Sequence, residues 1–187
     1  MSGRVLLAVV ALGVLAGCAE PPAKEHQQAE AAIASARAAD AAIYAPDGLQ
    51  AAEAALQKYD EAVAQRDYRQ ALNFALDARD RAYEAAKQAG EAKTAARTQA
   101  GKLADEVDAL SKLATARLAG TSGPRPSPQA AERLRAALKT AGTALQEART
   151  LIDRQDFRGA VVRLTPAAEA LRRDLPQASP APGRRGR

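Results

Sequence analysis

From Tyr68 to about Leu118 the chain runs some fifty residues without a proline and with only two glycines, Gly90 and Gly101. Alanine, lysine, glutamate, glutamine and arginine fill most of that stretch, and these are the residues that cost least in a helix. A single helix of that length would extend about 75 Å at 1.5 Å per residue. Ala71, Leu72, Ala75, Ala78, Ala82 and Tyr83 line its first half, and Leu103, Val107, Leu110, Ala114 and Leu118 its second, at helical spacing. Between them lies a segment whose apolar residues are all alanine and which holds both glycines, so bending or fraying is expected there.

The rest of the chain supplies partners for this helix. Ala29, Ile33, Ala36, Ala39 and Ile43 recur at steps of three and four, and Pro46 disfavours helical geometry in the residue before it, so a first helix should run from about Lys24 to near Tyr44. Pro46 suits the first turn of the next helix, which carries the stripe Leu49, Ala52, Leu56, Tyr59 and Val63. Gly120 to Pro128, rich in proline, serine and glycine, reads as a linker. Two more helices follow, on Leu134, Leu138, Ala141, Leu145, Ala148 and Ile152, and then on Phe157, Val161, Leu164, Ala168, Leu171 and Leu175. Pro166 falls inside the last and should kink or interrupt it. Apolar residues make up 47% of the chain but aromatics only 3%, so alanine dominates. Alanine has little area to bury, so the helices should approach closely around a thin core.

A shift of 89 residues lays the second hairpin on the first: Leu49 on Leu138, Leu56-Gln57 on Leu145-Gln146, and Val63 on Ile152. The match is best at the turn, where Asp67-Tyr68-Arg69-Gln70-Ala71 meets Asp156-Phe157-Arg158-Gly159-Ala160. Asp67 and Asp156 can cap the following helix, Tyr68 and Phe157 can close the hairpin end, and Ala71 and Ala160 let the helices meet. Each turn is similar to the start of a tetratricopeptide second helix in local packing only, since that family repeats near 34 residues. The expected fold is all-α: antiparallel hairpins forming two small three-helix units, 24–96 and 97–175, that share one long central helix. That helix would act as a coiled-coil-like spacer.

The amino-terminus carries an address. Arg4 precedes an apolar run, Val5 to Ala16, of about a dozen residues, against about 20 for a membrane-spanning helix. The run ends in Leu15-Ala16-Gly17-Cys18, and Cys18 is the only cysteine. Residues 1–17 read as a lipoprotein signal peptide, with Leu15, Ala16 and Gly17 as the peptidase recognition residues. Cys18 would then begin the mature chain and carry lipid, with residues 18–23 as a spacer. Three acyl chains make a stable anchor where one binds only reversibly. An ordinary secretory peptide with a chance cysteine is the alternative.

Cys18, the alanine-rich first helix, Tyr44-Ala45-Pro46 and the Asp67-Tyr68-x-x-Ala71 turn together resemble bacterial lipoproteins bearing the alanine-rich domain of unknown function 4398, over roughly residues 18–90. That resemblance implies an all-helical envelope protein and brings no activity or binding residue with it. Ala19, in place of the aspartate that marks inner-membrane retention in many species, implies the outer membrane and its periplasmic face.

The formal charge of +5, or +4 without Arg4, is too small over a whole domain to point to nucleic acid. Residues 176–187 form a proline- and arginine-rich tail in which Arg184, Arg185 and Arg187 are candidate polyanion contacts. His26 is the only histidine and is expected to be solvent-exposed, with no partner for a metal site. Gly101-Lys102 lacks a phosphate-binding loop, and no Gly-x-Ser-x-Gly segment is present. Tyr44, Tyr59, Tyr68, Tyr83 and Phe157 are assigned to core packing. The expectation is therefore a non-enzymatic spacer or adaptor that binds an envelope protein, with no metal, cofactor or nucleic acid. The alternative is a module that holds peptidoglycan or lipopolysaccharide through its basic C-terminal region.

Overall fold

The computed structural model describes residues 20–123 and 125–175. Among them are six helices and no strand: α1 (Ala23–Ala38), α2 (Ala41–Tyr44), α3 (Pro46–Ala64), α4 (Tyr68–Ala119), α5 (Pro128–Asp153) and α6 (Phe157–Asp174). The expected signal segment with Leu15, Ala16, Gly17 and Cys18, and the tail with Arg184, Arg185 and Arg187, lie outside the described residues.

The chain divides into two compact units at Gly90/Glu91. In the first, α1, α2 and α3 pack on α4. Its core is built from alanine, with a few larger side chains. Ala71, Ala75, Ala78, Ala82, Ala85 and Ala89 alternate at four and three residues along α4 and are all buried. Ala29 of α1, Ala55 of α3 and Ala78 of α4 form a cluster of their own, in which three helices meet through methyl groups. Ile33, Leu49 and Tyr59 are the larger buried residues of this unit.

The second unit is packed differently. Val107 of α4, Leu134 of α5, and Leu164 and Leu171 of α6 are the largest fully buried side chains among the described residues. They share one core with Ala100, Ala114, Ala137, Ala141, Ala148 and Ala168. The bidentate pair Arg172–Glu106, both contacts at 2.6 Å, joins α6 to α4 at the rim. In the first unit Arg37 similarly grips Glu53 across α1 and α3. Such exposed pairs contribute at most about 1 kcal/mol each, so burial carries these units.

The end of the first helix and the burial of Ile43 differ from expectation, and two helices continue through residues that disfavour them. The first helix ends at Ala38, where Asp40 takes a left-handed φ of 60° before the single turn of α2. Aspartate enters that region more readily than most residues. The break turns Ile43 off the buried stripe, leaving it 52% exposed. Gly90 and Gly101 do not interrupt α4. Each costs about 1 kcal/mol relative to alanine, too little to stop a helix whose neighbours favour it and whose face is buried on both sides of them. Pro166 does not interrupt α6 either. The carbonyl it leaves without a donor belongs to Val162, which is 69% exposed, so water can satisfy it.

Pro46 occupies the first turn of α3 as expected, and Ala45 before it is non-helical (φ −143°, ψ 53°). At the end of α4, Gly120 (φ 75°) donates to the Arg117 carbonyl and Thr121 to that of Ala116. This closure needs a left-handed residue, which glycine provides without strain. Ser127 then caps α5, accepting from the Ala130 N–H at 3.3 Å, with Pro128 in the first turn.

Candidate functional site

The hairpin turns are where sequence and structure agree most closely. Arg66 N–H donates to the Val63 carbonyl and Asp67 N–H to that of Ala62. Gln155 N–H donates to the Ile152 carbonyl and Asp156 N–H to that of Leu151. Each partner is displaced by the same 89 residues. Arg66 (φ 59°) and Gln155 (φ 62°) both adopt the left-handed conformation that ends α3 and α5. Asp67 Oδ1 then accepts from the Gln70 N–H at 2.9 Å, and Asp156 Oδ1 from the Gly159 N–H at 2.8 Å. Ala71 and Ala160 are fully buried behind them, Phe157 is buried and Tyr68 half-buried. The shared left-handed residue escaped the sequence reading, because neither arginine nor glutamine advertises a positive φ.

Loss of either cap leaves helix N–H groups unpaired. Asp67→Ala and Asp156→Ala are each expected to lower stability by about 0.5–2 kcal/mol. Urea unfolding followed by circular dichroism reads the change, and serine at either position should recover most of it.

The aromatic residues do not all pack as assigned. Tyr59 is buried and Tyr44 half-buried, but Tyr83 is 56% exposed. The buried line of α4 passes through Ala82 and Ala85, and the close alanine packing there leaves no space for a phenol ring. His26 is half-buried, not free in solvent. Its ring stacks on Tyr59 with centroids 4.5 Å apart, and its Nδ1 lies 3.6 Å from Glu30. Burial, with Asp60, Glu25 and Glu30 nearby, pushes the Tyr59 phenol above its ordinary value of 10.0.

Among the described residues no polar or charged residue is classed as buried, and no three His, Cys, Asp or Glu side chains are grouped to hold a metal ion. No helix there is long and apolar enough to cross a membrane. Two open clefts stand out. One, in the second unit, is lined by Lys93, Thr94, Arg97, Ile152, Gln155 and Phe157, with Lys93 Nζ donating to Gln155 Oε1 at 3.1 Å. The other, between α1 and α3, has Ile33 and Leu56 with Glu30, Arg37, Glu53 and Asp60 around them, Arg37 and Glu53 being paired with each other at 2.6 Å. No family model, curated protein or solved structure matches the chain.

Charge separates the two units. Residues 20–90 hold 12 acidic and 8 basic side chains, a net of −4, whereas residues 91–175 hold 10 acidic and 15 basic, a net of +5. The sequence contains this asymmetry, but the totals for the whole chain conceal it. What the arrangement offers chemically is a set of outward helix faces carrying mixed charge, with an acidic excess in the first unit and a basic excess in the second.

Proposed function

We propose that the protein is a non-enzymatic, lipid-anchored envelope protein of the outer membrane. In this reading it serves as a helical spacer or protein–protein adaptor, facing the periplasm. Two three-helix modules that share α4 would display their hairpin faces to a partner. The observation that carries the reading is the duplicated turn, repeated hydrogen bond for hydrogen bond while the residues on the outward faces change. A framework kept constant beneath a varied surface suits recognition, because rigid faces bind without paying an ordering cost. The resemblance to the alanine-rich lipoproteins and the Leu15-Ala16-Gly17-Cys18 segment support the anchor.

The test of the anchor is metabolic palmitate labelling. The intact protein should take up label and sediment with membranes, and Cys18→Ser should abolish both. An unlabelled protein with Cys18 intact would overturn the reading.

A further inference from the structure

Two cations of the second unit stand together over an open cleft. Lys93 and Arg97 lie one turn apart on α4, and with Thr94 they line a space of about 360 Å³ that is closed on its other sides by Ile152 near the end of α5, Gln155 in the turn and Phe157 at the start of α6. Like charges at this spacing on a helix repel each other. No carboxylate is among the lining residues to offset them. The cleft of the first unit is the reverse case: three carboxylates line it, and its arginine, Arg37, is already paired with Glu53.

The polar groups of this cleft are arranged as donors. The turn holds Gln155 at a φ of 62°, and its Oε1 accepts from Lys93 Nζ at 3.1 Å. With the oxygen engaged, the amide is left with its Nε2–H groups, which have no acceptor among the described residues. Gln155 is neutral, so its bond does not cancel the charge of the lysine. The Arg97 guanidinium makes no hydrogen bond or ion pair among the described residues and is exposed. Half-buried Ile152 and buried Phe157 supply the apolar part of the lining. Cations and an amide donor beside an apolar wall suit an anion with an organic body, and the volume lies at the small end of the range of about 300–1,000 Å³ for ligand sites.

We propose that this cleft binds a phosphate monoester, with the phosphate held by Lys93, Arg97 and the Gln155 amide and the organic group of the ester against Ile152 and Phe157. A phosphate monoester carries a charge of about −1.5 to −2 at neutral pH and three strong acceptor oxygens. A guanidinium takes two such oxygens side by side, and an ammonium adds a compact charge for the third. A dianion offsets both cations at once, which a carboxylate or sulfate ester does only by half. A free phosphorylated small molecule and a lipid headgroup share this chemistry. The site rests on neither lipidation nor the adaptor reading, so a failure of palmitate labelling leaves it standing.

The ¹⁵N-labelled full chain in non-ionic detergent, at constant ionic strength, is titrated with phenyl phosphate to about 10 mM, well above the dissociation constant on the order of 1 mM expected of a fragment-sized ligand. The backbone amide signals of Arg97, Ile152, Gln155 and Phe157 should shift together and saturate. Phenyl sulfate, of nearly the same shape but singly charged, should bind at least about fivefold more weakly. Arg97→Gln and Lys93→Gln should each weaken phenyl phosphate at least about fivefold. Arg135→Gln, at an exposed position of α5 about 25 Å along the axis from Ile152, should leave it unchanged. Circular dichroism of each variant confirms that it remains folded. Glycerol 3-phosphate binding as tightly as phenyl phosphate assigns the site to a lipid-type headgroup, and weaker binding to a free aryl or alkyl phosphate. Shifts that do not saturate, equal affinity for phenyl sulfate, an Arg97→Gln variant that binds like the unaltered chain, or an equal loss in Arg135→Gln would each overturn the proposal.

Discussion

Leu164→Ala is expected to destabilise the second unit by about 2–5 kcal/mol, the range for truncating a fully buried leucine. Leu164 is 0% exposed and lies in one core with Leu134, Leu171 and Val107. Its loss is felt strongly because the close-packed helices around it can relax only partly into the cavity that truncation leaves. Urea unfolding of the full chain should show an earlier transition, and hydrogen exchange should place the lost protection in 91–175. Leu113→Ala, on a 47% exposed position of α4, is the control and should change stability by no more than about 0.5 kcal/mol. Equal effects from the two substitutions would mean that α4 is not packed as described.

Ala78→Leu should damage the first unit by the opposite route. Ala78 meets Ala29 and Ala55 where three helices converge, and all three are nearly or fully inaccessible. A leucine there has no free volume, so it must separate the helices or force strained rotamers. The cost is about 1–3 kcal/mol or more, despite the added hydrophobic area. Hydrogen exchange should report lost protection in 23–89 with little change beyond. A leucine at the neighbouring exposed position, Asp80→Leu, adds similar apolar bulk without entering the contact and should leave exchange in the core unchanged. A stabilised Ala78→Leu would show that the alanine layer is loosely packed.

These contrasting sensitivities explain which parts of the molecule could be read in advance. The spacing of Leu134, Leu164 and Leu171 marks a buried face because large apolar residues have few other uses at helical period. The same logic works less well for Tyr83. In an alanine helix the burial signal is weak at every position, and one step of about 100° decides whether a ring is packed or exposed. Pro46, Asp67 and Asp156 were legible through local chemistry, since a fixed φ and a capping carboxylate act within a few residues. Asp40 was not, because its left-handed turn competes with an uninterrupted helical pattern and is chosen by how α1 and α3 pack.

The candidate interaction surface divides in the same way. Arg149 and Asp60 are plain in the chain, and so is the 89-residue repeat, but whether a charged residue on a helix faces solvent, a partner or its own unit depends on helix rotation. The groove beside Glu53 is lined from two helices, by Ile33 and Arg37 of α1 and by Leu56 and Asp60 of α3, which only their packing brings together.

Taken alone, the order of residues determined that the described chain is helical, where its hairpins turn, and that one hairpin is copied. Those outcomes rest on propensity, capping and period, all short-range forces. Only the tertiary structure decided that α4 stays unbroken through Gly90 and Gly101, that α6 tolerates Pro166, and which faces stay open. There, local penalties of about 1–3 kcal/mol compete with burial summed over whole helix faces, and that sum is set by the neighbours each helix meets.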